Sequence, residues 1–186
     1  MKNHNSASII VLDRFIQATR DSGYKGTYSA ISELVDNSIQ AGAKNVRIKI
    51  HIGSDEHYPI QITVLDDGSG MDITTLREAL RFGGSTRFND RTGMGRYGMG
   101  LPNSSLSQAR RIEVYTWQNS KKPIYSYLDV DEIASGNLSE VPLPVTQAMP
   151  EAFATNMKKS GTLVFWSRCD RLSNRKIQTI AYKLEE

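Results

Sequence analysis

The chain of 186 residues is long enough to bury one substantial core, and 39% hydrophobic with 23% charged residues is a globular composition, not that of a disordered or fibrous chain. A net charge of +3 without a Lys/Arg block or a basic stripe interleaved with aromatics gives no ground for a nucleic-acid partner, and no apolar run approaches the length that spans a bilayer. Cys169 alone cannot build a disulfide framework and the start MKNHNSASII has no sustained apolar h-region, so the expected setting is a reducing cytoplasm with no membrane partner.

From Ser8 to Ser22, Ile9, Leu12 and Ile16 predict a short amphipathic helix stopped by Gly23, with Tyr24–Thr27 as connector. Ser29–Ala43 follows as a core helix, because Ile31, Leu34, Val35, Ile39 and Ala43 recur at threes and fours, and Thr27 or Ser29 is its expected cap. On it Glu33 and Asn37 stand four residues apart and so stack one turn from each other on one face. A carboxylate there suits proton abstraction from water, and a carboxamide oxygen suits the shell of magnesium, whose other ligands are usually waters and substrate phosphates. This is what nucleotide hydrolysis without a P-loop needs, although an isolated E-x-x-x-N is more often a solvated polar face.

Asn45–Ile52 then alternates as a half-buried strand with Val46, Ile48, Ile50 and Ile52 inward, and Pro59 opens a second strand with Ile60, Ile62 and Val64 inward. That strand runs into Asp66-Asp67-Gly68-Ser69-Gly70-Met71. A carboxylate ending a buried strand is an acceptor suited to the exocyclic amine of adenine, and Gly68 and Gly70 let the backbone turn closely around a flat ring; a plain Asp-Gly turn is the other reading. Asp72–Phe82 reads as a helix with Asp72 as N-cap, and Gly83–Gly100, rich in glycine and arginine, as a mobile loop. Its last part, Gly93-Met94-Gly95-Arg96-Tyr97-Gly98-Met99-Gly100, precedes a helix at Leu101–Ala109, where Pro102 fits the first turn. Backbone N–H groups there suit phosphate oxygens, with a flexible surface loop as the alternative. The stretch contains G-x-G-x-x-G, but no strand precedes it, so a dinucleotide-binding fingerprint is rejected; there is no Walker A motif either.

Ile112–Trp117, Ile124–Val130 and Gly161–Trp166 are further strands. Asp131–Ser160, broken by Pro142, Pro144 and Pro150, reads as a long surface connection containing a short helix at Glu151–Lys158, and Ser173–Glu186 is helical in pattern. The mixture predicts one α+β domain over residues 1–186 around a mainly antiparallel sheet. His4, His51 and His57 lack metal-ligand spacing, Cys169 lacks a nucleophile's context, and Trp117 and Trp166 read as core or sheet aromatics.

In this order and separation the three polar motifs resemble the GHKL family of ATPases, which includes gyrase B, the ninety-kilodalton heat-shock chaperones, histidine kinases, MutL and Microrchidia proteins. Glu33-Leu34-Val35-Asp36-Asn37 looks like its N box, Asp66 to Met71 like its first glycine box, Gly95 to Leu101 like its second, and Gly161-Thr162 like its last motif. The resemblance implies the Bergerat α/β sandwich, a mixed and mainly antiparallel sheet with helices on one face, and ATP with Mg2+ as ligands. It makes Glu33 the general base, Asn37 the sole protein ligand of magnesium, Asp66 the adenine reader, and Thr162 a partner in the water network around adenine. The implied nucleotide contacts are Gly68, Gly70, Met71, Ser85, Gly95, Arg96, Tyr97, Gly98, Met99, Gly100 and Leu101, and the glycine-rich loop becomes a lid. Phe82-Gly83-Gly84-Ser85-Thr86-Arg87 looks most like the Microrchidia subgroup, with Arg87 where that subgroup often has lysine. The implied activity is magnesium-dependent ATP hydrolysis driving a conformational and dimerisation switch. In such relatives a second domain brings a lysine to the γ-phosphate, so this chain is expected to be the N-terminal part of a longer protein and slow by itself, with a homodimer formed through downstream regions. A histidine-kinase-type phosphotransferase, for which only His4 precedes the pocket, and an ATP sensor without turnover are the alternatives.

Overall fold

The computed structural model describes residues 9–83, 99–154 and 157–174. Six strands are present among them: β1 (Val46–Ile52), β2 (Ile60–Asp66), β3 (Ala109–Trp117), β4 (Ile124–Asp129), β5 (Val145–Thr146) and β6 (Gly161–Cys169). They form one sheet in the order β1-β2-β6-β3-β4-β5, every neighbouring pair antiparallel. The last strand in sequence is therefore inserted between β2 and β3, with Thr162 opposite both Asp66 and Thr116.

Period-two alternation gives the sheet one strongly apolar face, to which Ile62, Val64, Val164, Trp166, Ile112, Val114 and Leu128 contribute. Five helices supply its other half: α1 (Leu12–Ser22), α2 (Thr27–Gln40), α3 (Ile73–Leu80), α4 (Gly100–Leu106) and α5 (Val130–Ala134). Ile16, Ala30, Ile31, Leu34, Leu76, Leu80, Leu106 and Ile133 of these helices join the same buried cluster. The opposite face carries a smaller cluster of Leu65, Tyr115, Trp117, Tyr125 and Leu163, sealed by Met149 and by Phe153 of α6 (Glu151–Ala154). The expected α+β sandwich is thus observed, with both tryptophans in the core. No helix among the described residues is long and apolar enough to cross a membrane.

Several boundaries and one buried stripe differ from the sequence reading. α2 begins at Thr27 with Gly26 as its N-cap and no capping side chain: Thr27 points inward to Gln108 and Ser173, while the Ser29 hydroxyl donates back to Gly26 O at 2.8 Å. Its buried stripe runs Thr27, Ala30, Ile31, Leu34, Ser38, leaving Ile39 62% exposed, because Ser38 takes the position facing β2. The predicted helix at 101–109 stops at Leu106, and Ala109 already belongs to β3, since Gln108 turns its backbone carbonyl to the N–H groups of Asp170 and Arg171. β4 ends at Asp129, whose carboxylate accepts the N–H groups of Asp131 and Glu132 and starts α5. The stretch expected as a surface connection with one short helix holds that helix as α6, and in addition α5 and β5, and it buries Leu138, Met149 and Phe153. Residues 175–186 lie outside the described residues, as do 84–98.

One expected signal is in place. Asp72 caps α3 by accepting the Thr75 N–H at 2.7 Å, a bond of about 1 kcal/mol in such positions. α2 closes with the N–H of Gly42 on Ile39 O and that of Ala43 on Ser38 O, the Schellman pattern. At the end of the sheet away from Asp66, Arg110, Arg111 and Arg168 pair with Glu113, Asp129, Asp131, Glu132 and Asp170, and buried Arg20 reaches Asp170 at 2.6 Å.

The turn after β2 is tied to β3. Met71 donates its N–H to Thr116 Oγ1 at 2.8 Å, and Gln118 Nε2 donates to the carbonyls of Ser69 and Gly70. Gly70 has φ +66°, and a Cβ there would lie 2.0 Å from the Trp117 carbonyl oxygen. Gly70→Ala is expected to destabilise the fold by about 1–3 kcal/mol from backbone strain, with the clash against rigid β3 backbone in addition. Chemical denaturation measures this, and an unchanged unfolding midpoint would contradict it.

Candidate functional site

Three adjacent strands end in polar residues on their otherwise apolar face: Asp66 continues the series Ile62 and Val64, Thr162 heads Val164 and Trp166, and Thr116 follows Ile112 and Val114. Asp66 is only 8% exposed. Its Oδ1 accepts the N–H groups of Gly68 at 2.9 Å and Thr162 at 3.2 Å, and its Oδ2 accepts the Ser38 hydroxyl of α2 at 3.0 Å. Burial pushes its carboxyl pKa above the usual carboxylate value, and these three donors hold it back. A carboxylate offers about four lone-pair sites, so one acceptor position remains for a further donor. Thr162 and Thr116 share a hydroxyl bond of 3.1 Å, and Thr116 also donates to Gly161 O.

The next residue, Asp67, turns away from the site. It accepts the N–H groups of Lys44 and Asn45 and the Asn45 side-chain amide, each at 2.8 Å, and its pKa is lowered, chiefly by the Asn45 side chain. With Ser69 N–H on Ala41 O, these bonds fix the glycine turn against the end of α2.

Beside the polar row lies a cavity of about 430 Å³. Glu33, Asn37 and Ser38 of α2 line it together with Asp66, Gly70, Met71, Gly100, Leu101 and Thr162, so helix, glycine turn and last motif meet in one space. Gly68 contributes through its N–H to Asp66 and is not part of the lining; Met99 precedes α4 as its N-cap residue. Ser85, Gly95, Arg96, Tyr97, Gly98 and Arg87 lie outside the described residues. The Glu33 Oε2 atom accepts the Tyr24 hydroxyl at 2.8 Å, and a Cβ on Gly100 would fall 2.1 Å from Oε1, so any larger residue there would displace the Glu33 carboxylate. The Asn37 carboxamide has no partner among the described residues.

Sequence reasoning missed Tyr24, Ser38 and Thr116. Tyr24 sits in the connector, and its bond to Glu33 depends on how that connector packs. Ser38 was legible in retrospect, being seven residues from Ile31 and eleven from Thr27, on the stripe that faces β2. Thr116 carried a signal too: it is the polar end of an alternating apolar series, as Asp66 is.

The lining carries three carboxylates, those of Glu33, Asp66 and Glu78, and no Lys or Arg among the described residues. No group of three or more His, Cys, Asp or Glu that could hold a metal occurs among those residues. Asn37 is thus a neutral oxygen donor in a carboxylate-lined cavity, a set that fits a magnesium ion brought in with phosphates and waters.

The family model described as Histidine kinase-, DNA gyrase B-, and HSP90-like ATPase matches residues 24–162. The chain is 27% identical over 150 residues to the mouse protein named ATPase MORC2A, covering 76% of this chain and 14% of that protein. Similarity to Protein MICRORCHIDIA 2 of Arabidopsis thaliana is 28% over 174 residues, covering 83% and 27%. The DNA mismatch repair protein MutL of Halobacterium salinarum is 36% identical over 66 residues, covering 36% and 9%. The chain therefore spans little more than a quarter, at most, of the length of these relatives. With β1 to β5, the glycine turn and nearly all of the cavity lining in the matched region, the chain belongs to the histidine kinase-, gyrase- and HSP90-like (GHKL) ATPase family and is Microrchidia-like within it.

Proposed function

We propose that the chain binds ATP with magnesium in the cavity between α2 and the polar end of the sheet, and hydrolyses it. The observation that carries this reading is the convergence of Glu33, Asn37, Asp66 and Thr162 on one space, although they come from three elements far apart in sequence. Asp66, with an acceptor position to spare, takes the exocyclic amine of adenine, and Thr162 supports the ring's polar edge. Asn37 contributes its side-chain oxygen to magnesium, which when bound would neutralise phosphate charge and orient the terminal phosphate. Glu33 takes the proton from the attacking water.

The charge of the cavity bears on rate. A triphosphate entering a space with three carboxylates and no basic lining residue among those described must draw its positive charge from magnesium and from groups elsewhere. Slow turnover is part of the proposal: where one positive group aimed at the transition state comes from a partner, its absence costs on the order of 10²–10³ in rate. Dimerisation with ATP, which would bring such groups from outside the cavity, belongs to the same proposal, as does its use as a conformational switch.

Incubation with radiolabelled ATP tests the reaction class. Released phosphate, slow and rising per chain with protein concentration, is expected; labelled protein would indicate phosphotransfer, and intact nucleotide a sensor. Glu33→Ala should cut release to a small residual rate while leaving magnesium-dependent ATP binding intact by calorimetry, because it removes the base and no adenine contact. Loss of binding with the fold preserved would contradict the role given to Glu33.

Asp66→Asn separates stability from binding. Burial raises the folded-state pKa of Asp66 above 3.8, so its contribution to stability is full below that unfolded value and is lost as pH rises through the folded value. Asparagine keeps the shape and the acceptor for Gly68 and Thr162 without a buried charge. The variant should melt at or above the wild type at neutral pH, the difference closing in mild acid, while adenine nucleotides weaken by about 1–3 kcal/mol. Thermal melts at both pH values and calorimetry check the two halves.

A further inference from the structure

We propose that Tyr24 is a positioning residue for the Glu33 carboxylate, its hydroxyl fixing Oε2 so that the group is held ready to receive a proton. The inference rests on Glu33 being the base and adds a residue outside every motif that suggested it. Glu33 is bracketed: Tyr24 donates to Oε2 at 2.8 Å, and the Gly100 backbone crowds Oε1 so closely that a Cβ would stand 2.1 Å away. A glutamate has three rotatable side-chain bonds, and without such restraint its carboxylate samples many positions, few of them productive.

Tyr24 is itself fastened at its backbone. Its carbonyl accepts Gln108 Nε2 at 2.7 Å, and Gln108 is 1% exposed. Gln108 Oε1 accepts the Thr27 hydroxyl at 2.9 Å, and Thr27 exchanges bonds with Ser173, taking its N–H at 2.9 Å and giving its own N–H to Ser173 Oγ at 3.1 Å. The ring packs on the main core. The connector is thus pinned from Gln108, just ahead of β3, and from the segment after β6, and the hydroxyl has a defined place from which to reach Glu33. Burial and the bond to Glu33 push the Tyr24 pKa up to about 12, so the hydroxyl keeps its proton and remains a donor throughout the range in which the protein works.

The test is a double-variant cycle of Tyr24→Phe and Glu33→Ala, with turnover, affinity for a non-hydrolysable ATP analogue and melting temperature measured for each chain. Tyr24→Phe keeps the ring and removes only the hydroxyl. It should lower kcat by about 10- to 100-fold and leave analogue affinity within about twofold. Added to Glu33→Ala, it should leave the residual rate unchanged, because no carboxylate remains to be held. An unaltered kcat in Tyr24→Phe, a loss of affinity matching the loss of rate, or an equal drop in the Glu33→Ala background would each overturn the proposal. The cycle stays decisive even if Phe loosens the connector, since general loosening slows both backgrounds alike. Full activity in Glu33→Ala would refute the base assignment itself, an outcome separable from failure of Tyr24 alone.

Discussion

The carboxylate of Asp66, buried where β2 ends, is the constraint on which the rest of the site depends. A lone buried carboxylate is costly, and this one persists because Gly68, Thr162 and Ser38 each give it a hydrogen bond from a different element. To supply them the turn must fold back, β6 must insert beside β2, and α2 must lie with Ser38 facing the sheet. Those requirements also put Asn37 and Glu33, about one and two turns before the end of α2, in the wall of the same space.

The helix α2 serves both core and site. Ala30, Ile31 and Leu34 are at most 2% exposed and bind it to the sheet, while Glu33 and Asn37 stand at the border of that stripe. Full burial of a side chain such as Ile31 or Leu34 is worth about 1.5–3 kcal/mol, so the helix is held by packing and not by its polar face. The polar face is then free to carry groups chosen for chemistry.

Much of this was legible in the sequence because the physical signals were local. The alternation in β1 and β2, the run of apolar residues at threes and fours in α2 and the Asp72 cap each depend on neighbours within about one or two turns. The polar motifs were recognisable for the same reason, and the fold places Glu33, Asn37, Asp66, Gly70, Met71, Gly100, Leu101 and Thr162 around one cavity. What the sequence hid was set by distant contacts. Ile39 looked like core and is exposed because Ser38 is needed by Asp66, and the segment after Asp129 looked like a surface connection with one short helix although Met149 and Phe153 seal the second face of the sheet. His51 belongs to that second face, lying 5.5 Å from the ring of Phe153, with burial lowering its pKa.

The proposed function stands first on the reading of adenine by Asp66. Calorimetric titration of the wild-type chain with ATP and with GTP, each with magnesium, tests it most directly, since guanine presents a carbonyl where adenine presents an amine and a carboxylate can only accept. ATP is expected to bind at least about tenfold more tightly than GTP, a difference of about 1.4 kcal/mol. Equal affinity for the two nucleotides would contradict it.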